Sequence, residues 1–460
     1  MTPPMSALQT PPSVAPQGKI LVVGLGKTGL SCLRYLQSKG VVAAVTDSRE
    51  RPPGLDTLQT QMPEVAAFIG GFEPDVFASA SELVVSPGVA VAEPLIQQAV
   101  ARGVPVVGDV ELFARDAQAP LCAITGSNGK STVTSLVGLM ARLAGRAVAV
   151  GGNLGEPVLD LIDDAVDLYV VELSSFQLET APGLRPDVAV VLNVSADHLD
   201  RYSDLAAYAA TKAQIYRGAR VAVVNRDDPM VSDMPRAAKQ EIGFTLGEPK
   251  LGDFGLCVFE GASWICRGGE RLMRADEVLI PGRHNLANAL AALALASASG
   301  IPMTAGCEAL RRFTGLPHRS QVVADHGGVR WYDDSKGTNP GATIAALDGL
   351  VPEGASGRVV LIAGGDGKGA DFAPLRPAMA RAARAVVLIG RDAPLIEAAI
   401  EGTTRIARAT DMADAVSQAA TLAEPGDAVL LSPACASFDM FDNYEHRGQV
   451  FADAVRRLSA

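Results

Sequence analysis

Short β-branched apolar runs recur along the chain: "KILVVG", "VAAVTD", "ELVVSPG", "PLCAITG", "LYVVEL", "VAVVLN", "RVAVVN", "RVVLIAG", "AVVLIG" and "AVLLSP". Between them Ala and Leu return at helical spacing. Strands that are apolar on both faces and alternate with helices predict parallel sheets covered on both sides. One helix is read directly from Val133, Leu136, Val137, Met140, Leu143 and Ala144, which share a face after "GSNGKST". From about Gly247 to Pro281 the texture changes to Gly-punctuated alternation, "GLCVFEGASWICRGGERL", which predicts a small antiparallel insertion. Breaks near "VPVVGDVELF" and "FTGLPHRSQVV" divide the chain into a tail over 1–18 and domains over 19–108, 109–316 and 317–460. The fold class is therefore α/β with three domains, the middle one carrying the insertion.

Composition narrows the range of partners. Forty Lys and Arg against 51 Asp and Glu give a net charge of -11, and no basic patch offsets it, which argues against nucleic acid and anionic membrane surfaces. The most apolar run, "ANALAALALASASG", is too short and too rich in Ala and Ser to span a bilayer. The Pro-rich first 18 residues lack a basic region and an apolar core, so they read as a flexible tail rather than a signal peptide. The six cysteines form no CxxC pair and mostly sit in apolar runs, as small core residues do in a reducing cytosol.

The candidate chemistry gathers where strands end, which is where open α/β sheets bind ligands. "ITGSNGKST" resembles a phosphate loop, with Ile124 where the strict pattern has glycine. Backbone N–H groups from Gly126 to Lys130 can form an anion nest at a helix start, Lys130 can reach the phosphates, and the Ser131 hydroxyl can ligate Mg2+. "VVGLGKTG" places Gly24, Gly26 and Gly29 after a strand, with Asp47 closing the next one. That pattern suits a dinucleotide, and equally a mononucleotide or nucleotide-sugar. Glu172 ends a further strand and offers the oxygen donor that Mg2+ prefers, while Asn193, Asp197 and His198 follow another. Lys212, in a small and apolar helical context, reads by itself as a surface lysine. In the last third Asp333, Asp334, Ser335, Lys336, Thr338, Asn339, Asp366, Lys368, Ser432, Ser437 and Phe438 occupy Gly-rich loops after strands, an arrangement that grips small ligands. A nucleotide site with two further ligand sites suits a ligase.

Taken together, "ITGSNGKST", "VVELSSFQLE", "LNVSADHLDRY", "PGRHNLANALAALAL", "GLPHR", "YDDSKGTNPGAT", "IAGGDGKGADF" and "LLSPACASFDMFDNYEHRG" resemble the Mur ligases of peptidoglycan synthesis from about Lys19 onward. "TGxNGK" is shared with folylpolyglutamate synthases, whereas "ELSSFQLE" and "SPACASFDMF" point to the D-glutamate-adding branch. The resemblance implies a Rossmann-like UDP-binding domain, a P-loop-type ATPase domain with a parallel sheet, and a Rossmann-like C-terminal domain. It also implies that the shortened loop binds ATP through Gly126, Ser127, Asn128, Gly129, Lys130, Ser131 and Thr132. Asn288, Arg319 and Asp334 would contact the nucleotide, Asp334 at the ribose. Two Mg2+ ions would use Ser131, Glu172 and His198, together with Lys212 once CO2 has carbamylated it. Gly26, Lys27, Thr28, Asp47, Ser48, Arg49 and Gly88 would bind the uridine diphosphate, with Asn153 near the sugar or its phosphates. Arg319, Lys336, Thr338, Lys368, Ser437, Phe438 and Tyr444 would surround D-glutamate, whose two carboxylates call for cationic and hydroxyl donors.

The implied reaction is ATP-dependent addition of D-glutamate to UDP-N-acetylmuramoyl-L-alanine through an acyl phosphate, in a cytoplasmic monomer. Lys130, Glu172, His198 and Lys212 would be catalytic, and closure of the C-terminal domain would shield the intermediate from water. Three alternatives stand beside it. A nicotinamide-dependent oxidoreductase would use the N-terminal glycines but leave "GSNGKST" idle. A nucleotide-binding regulator would not need the charged C-terminal loops. A ligase adding L-lysine or diaminopimelate lacks support from "ACASFDMF" and from any "DNPR"-like segment.

Overall fold

A computed structural model describes residues 19–351 and 358–458, so the expected flexible tail over 1–18 lies outside the described residues. Every β-branched run named above forms a strand. The strands build three sheets of five, nine and six members.

The five-stranded sheet runs, edge to edge, Ala66–Ile69, Ala43–Asp47, Ile20–Val23, Glu82–Val85 and Val106–Val107, and every neighbouring pair is parallel. Its order reverses between Ile20–Val23 and Glu82–Val85, the crevice in which doubly wound sheets bind ligands. Leu21, Val23, Leu83 and Val85 pack on Phe77, Ile96 and Ala99. This sheet belongs to a compact unit of residues up to 116 together with 157–160 and 179–183. Asp160 joins it by accepting from Ser31 and Arg34, and Thr180 by accepting from the Gly108 N–H.

The second compact unit contains the other two sheets. In the nine-stranded sheet six parallel strands run Val148–Gly152, Leu168–Glu172, Leu121–Thr125, Val188–Val191, Val221–Asn225 and Gln240–Phe244. The expected insertion is Phe254–Phe259, Ala262–Arg267 and Glu270–Arg274, an antiparallel meander that extends the same sheet at one edge. The most apolar stretch of the chain forms the helix Arg283–Ala298, in which Ala289 to Ala296 are all buried against the helix Lys130–Leu143 and the sheet. Among the described residues no helix is long and apolar enough to cross a membrane.

The six-stranded sheet runs Gln321–His326, Val329–Asp333, Ala428–Leu431, Val359–Gly364, Ala383–Ile389 and Arg405–Arg408, parallel except for its first pair. Period-two alternation divides it between two cores. Val359, Leu361 and Ala363 face Leu375, Met379 and Ile396, while Val360 and Ile362 face Val416, Phe451 and Val455.

The glycine fingerprint of the first unit separates into a packing position and an open one. A Cβ on Gly29 would stand 2.0 Å from the Gly24 carbonyl oxygen, so only glycine lets the helix Lys27–Ser38 press on the turn. A Cβ on Gly26 would meet nothing within 4 Å. Gly29→Ala is therefore expected to cost about 3 kcal/mol through overpacking, whereas Gly26→Ala costs no more than about 1 kcal/mol as a helix N-cap change. Denaturant unfolding of the two variants side by side checks the difference; equal losses would refute it.

Candidate active site

The phosphate-like loop leaves the strand Leu121–Thr125 and enters the helix Lys130–Leu143. Gly129 sits at φ +84° as the helix N-cap, and a Cβ there would lie 2.4 Å from the Asn288 side-chain oxygen. Glycine thus brings the loop backbone against Asn288, as the shortened motif requires. The loop is braced from its neighbour strand. Ser127 N–H donates to the Asn193 carbonyl at 2.9 Å, and Asn128 N–H to the Asn193 side chain at 2.8 Å. Lys130 folds back over the loop and donates to the carbonyls of Gly126 and Ser127 at 2.8 and 2.9 Å.

Two cavities of about 300 Å3 each open on this loop and share its walls. One runs from Asn128, Gly129 and Thr132 past His284, Asn285 and Asn288 to Arg319, Asp334 and Lys336. The other is lined by Ser127 to Ser131, Asn153, Glu172, His198 and Lys212 from the middle of the chain. From the last third it receives Arg319, Lys336, Thr338, Lys368, Ser437, Phe438 and Tyr444. Arg319 crosses between these parts and donates to the Ser131 hydroxyl at 2.7 Å.

The second cavity is crowded with positive charge, and its titratable groups respond. Burial holds Lys212 well below the ordinary lysine range, reinforced by the nearby Lys130 charge; its ammonium nitrogen bonds the Gly126 carbonyl at 2.9 Å. Burial also lowers Lys130, and it draws Lys336 down to about 8. The His198 imidazole is pulled by burial down to about 4, with Asp197 only partly opposing, so near neutral pH it carries a free lone pair. Burial alone would raise Asp197, but Lys368 and His198 hold it below the usual carboxylate range.

Glu172 is buried, and Asn153 donates to one of its oxygens at 2.6 Å while the other has no partner. An unpartnered buried carboxylate oxygen on a cavity wall fits a hard cation. Among the described residues no group of three or more His, Cys, Asp or Glu clusters as a metal site.

Comparison with known proteins decides the family. Residues 18–108 match the profile of the Mur ligase MurD-like N-terminal domain, 124–296 that of the Mur ligase middle domain, and 318–435 that of the Mur ligase glutamate ligase domain. UDP-N-acetylmuramoylalanine–D-glutamate ligase of Nitrosococcus oceani is 54% identical over 95% of this chain and 96% of its own. The chain belongs to the Mur ligase family. The Pseudomonas putida enzyme of the same name is 53% identical over 95% of this chain and 97% of its own. Solved Mur ligases share the fold at lower identity. UDP-N-acetylmuramate-alanine ligase MurC of Thermotoga maritima aligns with a TM-score of 0.61 at 19% identity, covering 96% of this chain and 100% of its own. MurF of Acinetobacter baumannii aligns at 0.60 and 20%, covering 96% and 94%.

Within this Mur ligase all the expected ATP-side residues except Gly126, and all the expected amino-acid-side residues, line the two cavities, with Lys212 a buried residue rather than a surface lysine. Asn153, expected near the sugar or its phosphates, also lines the second cavity and holds Glu172. In the first unit Gly26, Lys27 and Thr28 begin the helix after the turn. Asp47 accepts from the Leu25 N–H at 2.8 Å and from Arg49 at 2.6 Å. Asp47 thus braces the turn that carries Gly26.

Sequence reading gave no role to Arg447. It is buried and donates to the Ser335 hydroxyl and carbonyl and to the Cys435 carbonyl, pinning together the loops that carry Lys336 and Ser437. In a helix whose last turn is Arg456 and Arg457, nothing in the local pattern marks Arg447 as inward. Asn339, expected as one of the ligand-gripping loop residues, bridges Asn128 and Asp197.

Burial raises the Asp334 carboxyl to about 7, against the opposing hydrogen bonds from Ser432 and Ser320. In the unfolded chain this group titrates near ~4. Between those values the folded state holds the extra proton, so the group's contribution to stability falls as pH rises, by up to about 1.4 kcal/mol per unit. Asp334→Asn is expected to remove that slope, which denaturant midpoints compared from pH 4.5 to 7.5 would reveal.

Proposed function

We propose that this chain joins D-glutamate to UDP-N-acetylmuramoyl-L-alanine in an ATP-dependent reaction of peptidoglycan precursor synthesis. The observation that carries the reading is the continuity of the two cavities across the phosphate loop. Asn288 and Asp334 line the nucleoside end, the loop lies between, and Lys336, Thr338, Lys368 and Ser437 line the far end. That order matches adenosine, phosphates and a dicarboxylic amino acid in series. Relatives more than half identical over nearly the whole chain carry the D-glutamate ligase name, which supports the same assignment.

In the proposed reaction a carboxylate oxygen of the L-alanyl group attacks the γ-phosphorus of ATP. An O–P bond forms, the β–γ bridging bond breaks, and ADP leaves. The D-glutamate amine then attacks the acyl carbon; the C–N bond forms, phosphate departs, and the amine proton leaves with it. Bringing a carboxylate to a triphosphate crowds anions together, so Lys130, released from the loop carbonyls onto the phosphates, offsets charge on the transferring group. Arg319 and Lys336 reach both cavities and span the same region. Glu172, His198 and Ser131 would hold Mg2+, which when bound supplies further charge neutralisation. His198, held neutral, serves as a ligand rather than a proton shuttle.

Lys212 fits a carbamate. Its depressed basicity favours the neutral amine, the form that adds to CO2, and carbamylation would turn this buried amine into an anionic oxygen donor beside Glu172. In the first unit the open face at Gly26, with Lys27, Thr28, Ser48, Arg49 and Gly88, would take the uridine diphosphate. The domains proposed for these roles are 19–108, 109–316 and 317–460. The chain is taken to work as a cytoplasmic monomer.

ADP release with UDP-N-acetylmuramoyl-L-alanine and Mg-ATP is expected with D-glutamate and not with L-glutamate or L-lysine; turnover with another amino acid alone would overturn the specificity. Lys130→Ala should lower ADP release by at least about 100-fold, with UDP-sugar binding by calorimetry retained. For the carbamate, 13C-bicarbonate should give a carbamate carbon resonance in the unsubstituted protein that is missing from Lys212→Arg.

A further inference from the structure

Lys368 stands in the loop "GGDGKGADF" at φ +51°, a strained conformation for a residue with a side chain. Its ammonium group meets Asp197, 2.5 Å away, and both side chains are largely buried. Asp197 is fully engaged. The oxygen that meets Lys368 also accepts from the His198 N–H at 2.9 Å, and the other accepts from Asn339 at 3.1 Å. Asn339 in turn exchanges hydrogen bonds with Asn128 of the phosphate loop at 3.1 and 3.3 Å. One carboxylate therefore joins the amino-acid end of the cavity to the loop that would hold the nucleotide.

We propose that Asp197 is an internal stand-in for the amino-acid substrate's carboxylate, competing with it for Lys368. This rests on the reading of Lys368 as part of the D-glutamate site. A buried ammonium needs an anion, and Asp197 supplies one in the same cavity that holds Ser437 and Thr338. When a substrate carboxylate takes over Lys368, Asp197 loses its strongest partner, and its bridge through Asn339 to Asn128 is released from that tether. Amino-acid binding and the phosphate loop are coupled through this exchange, and by linkage the effect runs in both directions. Asp197 is on this view a positioning residue that sets how tightly D-glutamate is held.

The competition has a signature that a merely structural role lacks, because removing the competitor tightens binding. Asp197→Asn keeps the shape and the hydrogen bond to Asn339 through its side-chain oxygen while removing the charge. D-glutamate binding to the full chain without nucleotide, measured by calorimetry, should tighten about tenfold, and the KM for D-glutamate should fall independently of any change in kcat. Unchanged or weaker binding in a variant that melts like the unsubstituted protein overturns the proposal. A crystal of the unsubstituted chain grown with D-glutamate and without nucleotide gives a second readout that does not depend on the variant folding. Lys368 on the ligand carboxylate and withdrawn from Asp197 supports the exchange, whereas Lys368 still paired with Asp197 overturns it. Lys368→Gln separates the two levels of the argument. If it leaves D-glutamate binding and KM unchanged, the assignment of Lys368 to the amino-acid site is what fails; if it weakens them while Asp197→Asn does not tighten them, the competition alone fails.

Discussion

Five cations, Lys130, Lys212, Arg319, Lys336 and Lys368, line one cavity with only two carboxylates, Glu172 and Asp197. Most of what is distinctive about the site follows from that imbalance. Uncompensated charge out of water is expensive, so each cation either finds an oxygen or gives up its proton more readily. Lys130 takes two loop carbonyls, Lys212 a third contact on Gly126, Arg319 the Ser131 hydroxyl and Lys368 the Asp197 carboxylate. Lys336 lies over the Tyr444 ring at 3.7 Å. A cavity built this way suits anions, and a triphosphate with a dicarboxylic amino acid would meet the same contacts in exchange.

Holding those side chains in place requires a strained backbone on a rigid frame. His198, His318, Ser320, Lys368 and Ala434 all adopt positive φ, at roughly 1–3 kcal/mol each. The sheets beneath tolerate this because their strands are buried on both faces and cannot shift register without exposing a core. Arg447 extends the frame upward. By joining Ser335 to Cys435 it makes two loops from distant parts of the chain behave as one wall.

The first unit follows a simpler logic. Its glycines divide the work between packing and access, and the Asp47 carboxylate closes the turn by binding backbone N–H groups. Although burial would raise its pKa, Arg49 and those N–H donors hold Asp47 below the usual range, so it stays an anion and keeps the turn fixed.

The sequence by itself determined the strands formed by its β-branched runs, the parallel character of the sheets, the antiparallel insertion and the glycine-rich loop before Lys130. Each is written in neighbouring residues: β-branched runs, helical periodicity after Lys130, glycines at fixed intervals. It also carried the family resemblance, and with it most of the charged and polar residues that line the second cavity. What it left open depends on side chains that meet from separate elements of the chain. Nothing near Arg447 in the chain marks it as buried, because its partners Ser335 and Cys435 arrive from other strands. Lys212 reads as a surface lysine until the fold buries it against Gly126. The pairing of Asp197 with Lys368, separated by 171 residues, exists only once the middle and last thirds of the chain lie side by side. Local pattern determines elements because their hydrogen bonds and periodicity are local, whereas the protonation and partners of a buried charge depend on everything packed around it, which only the tertiary structure decides.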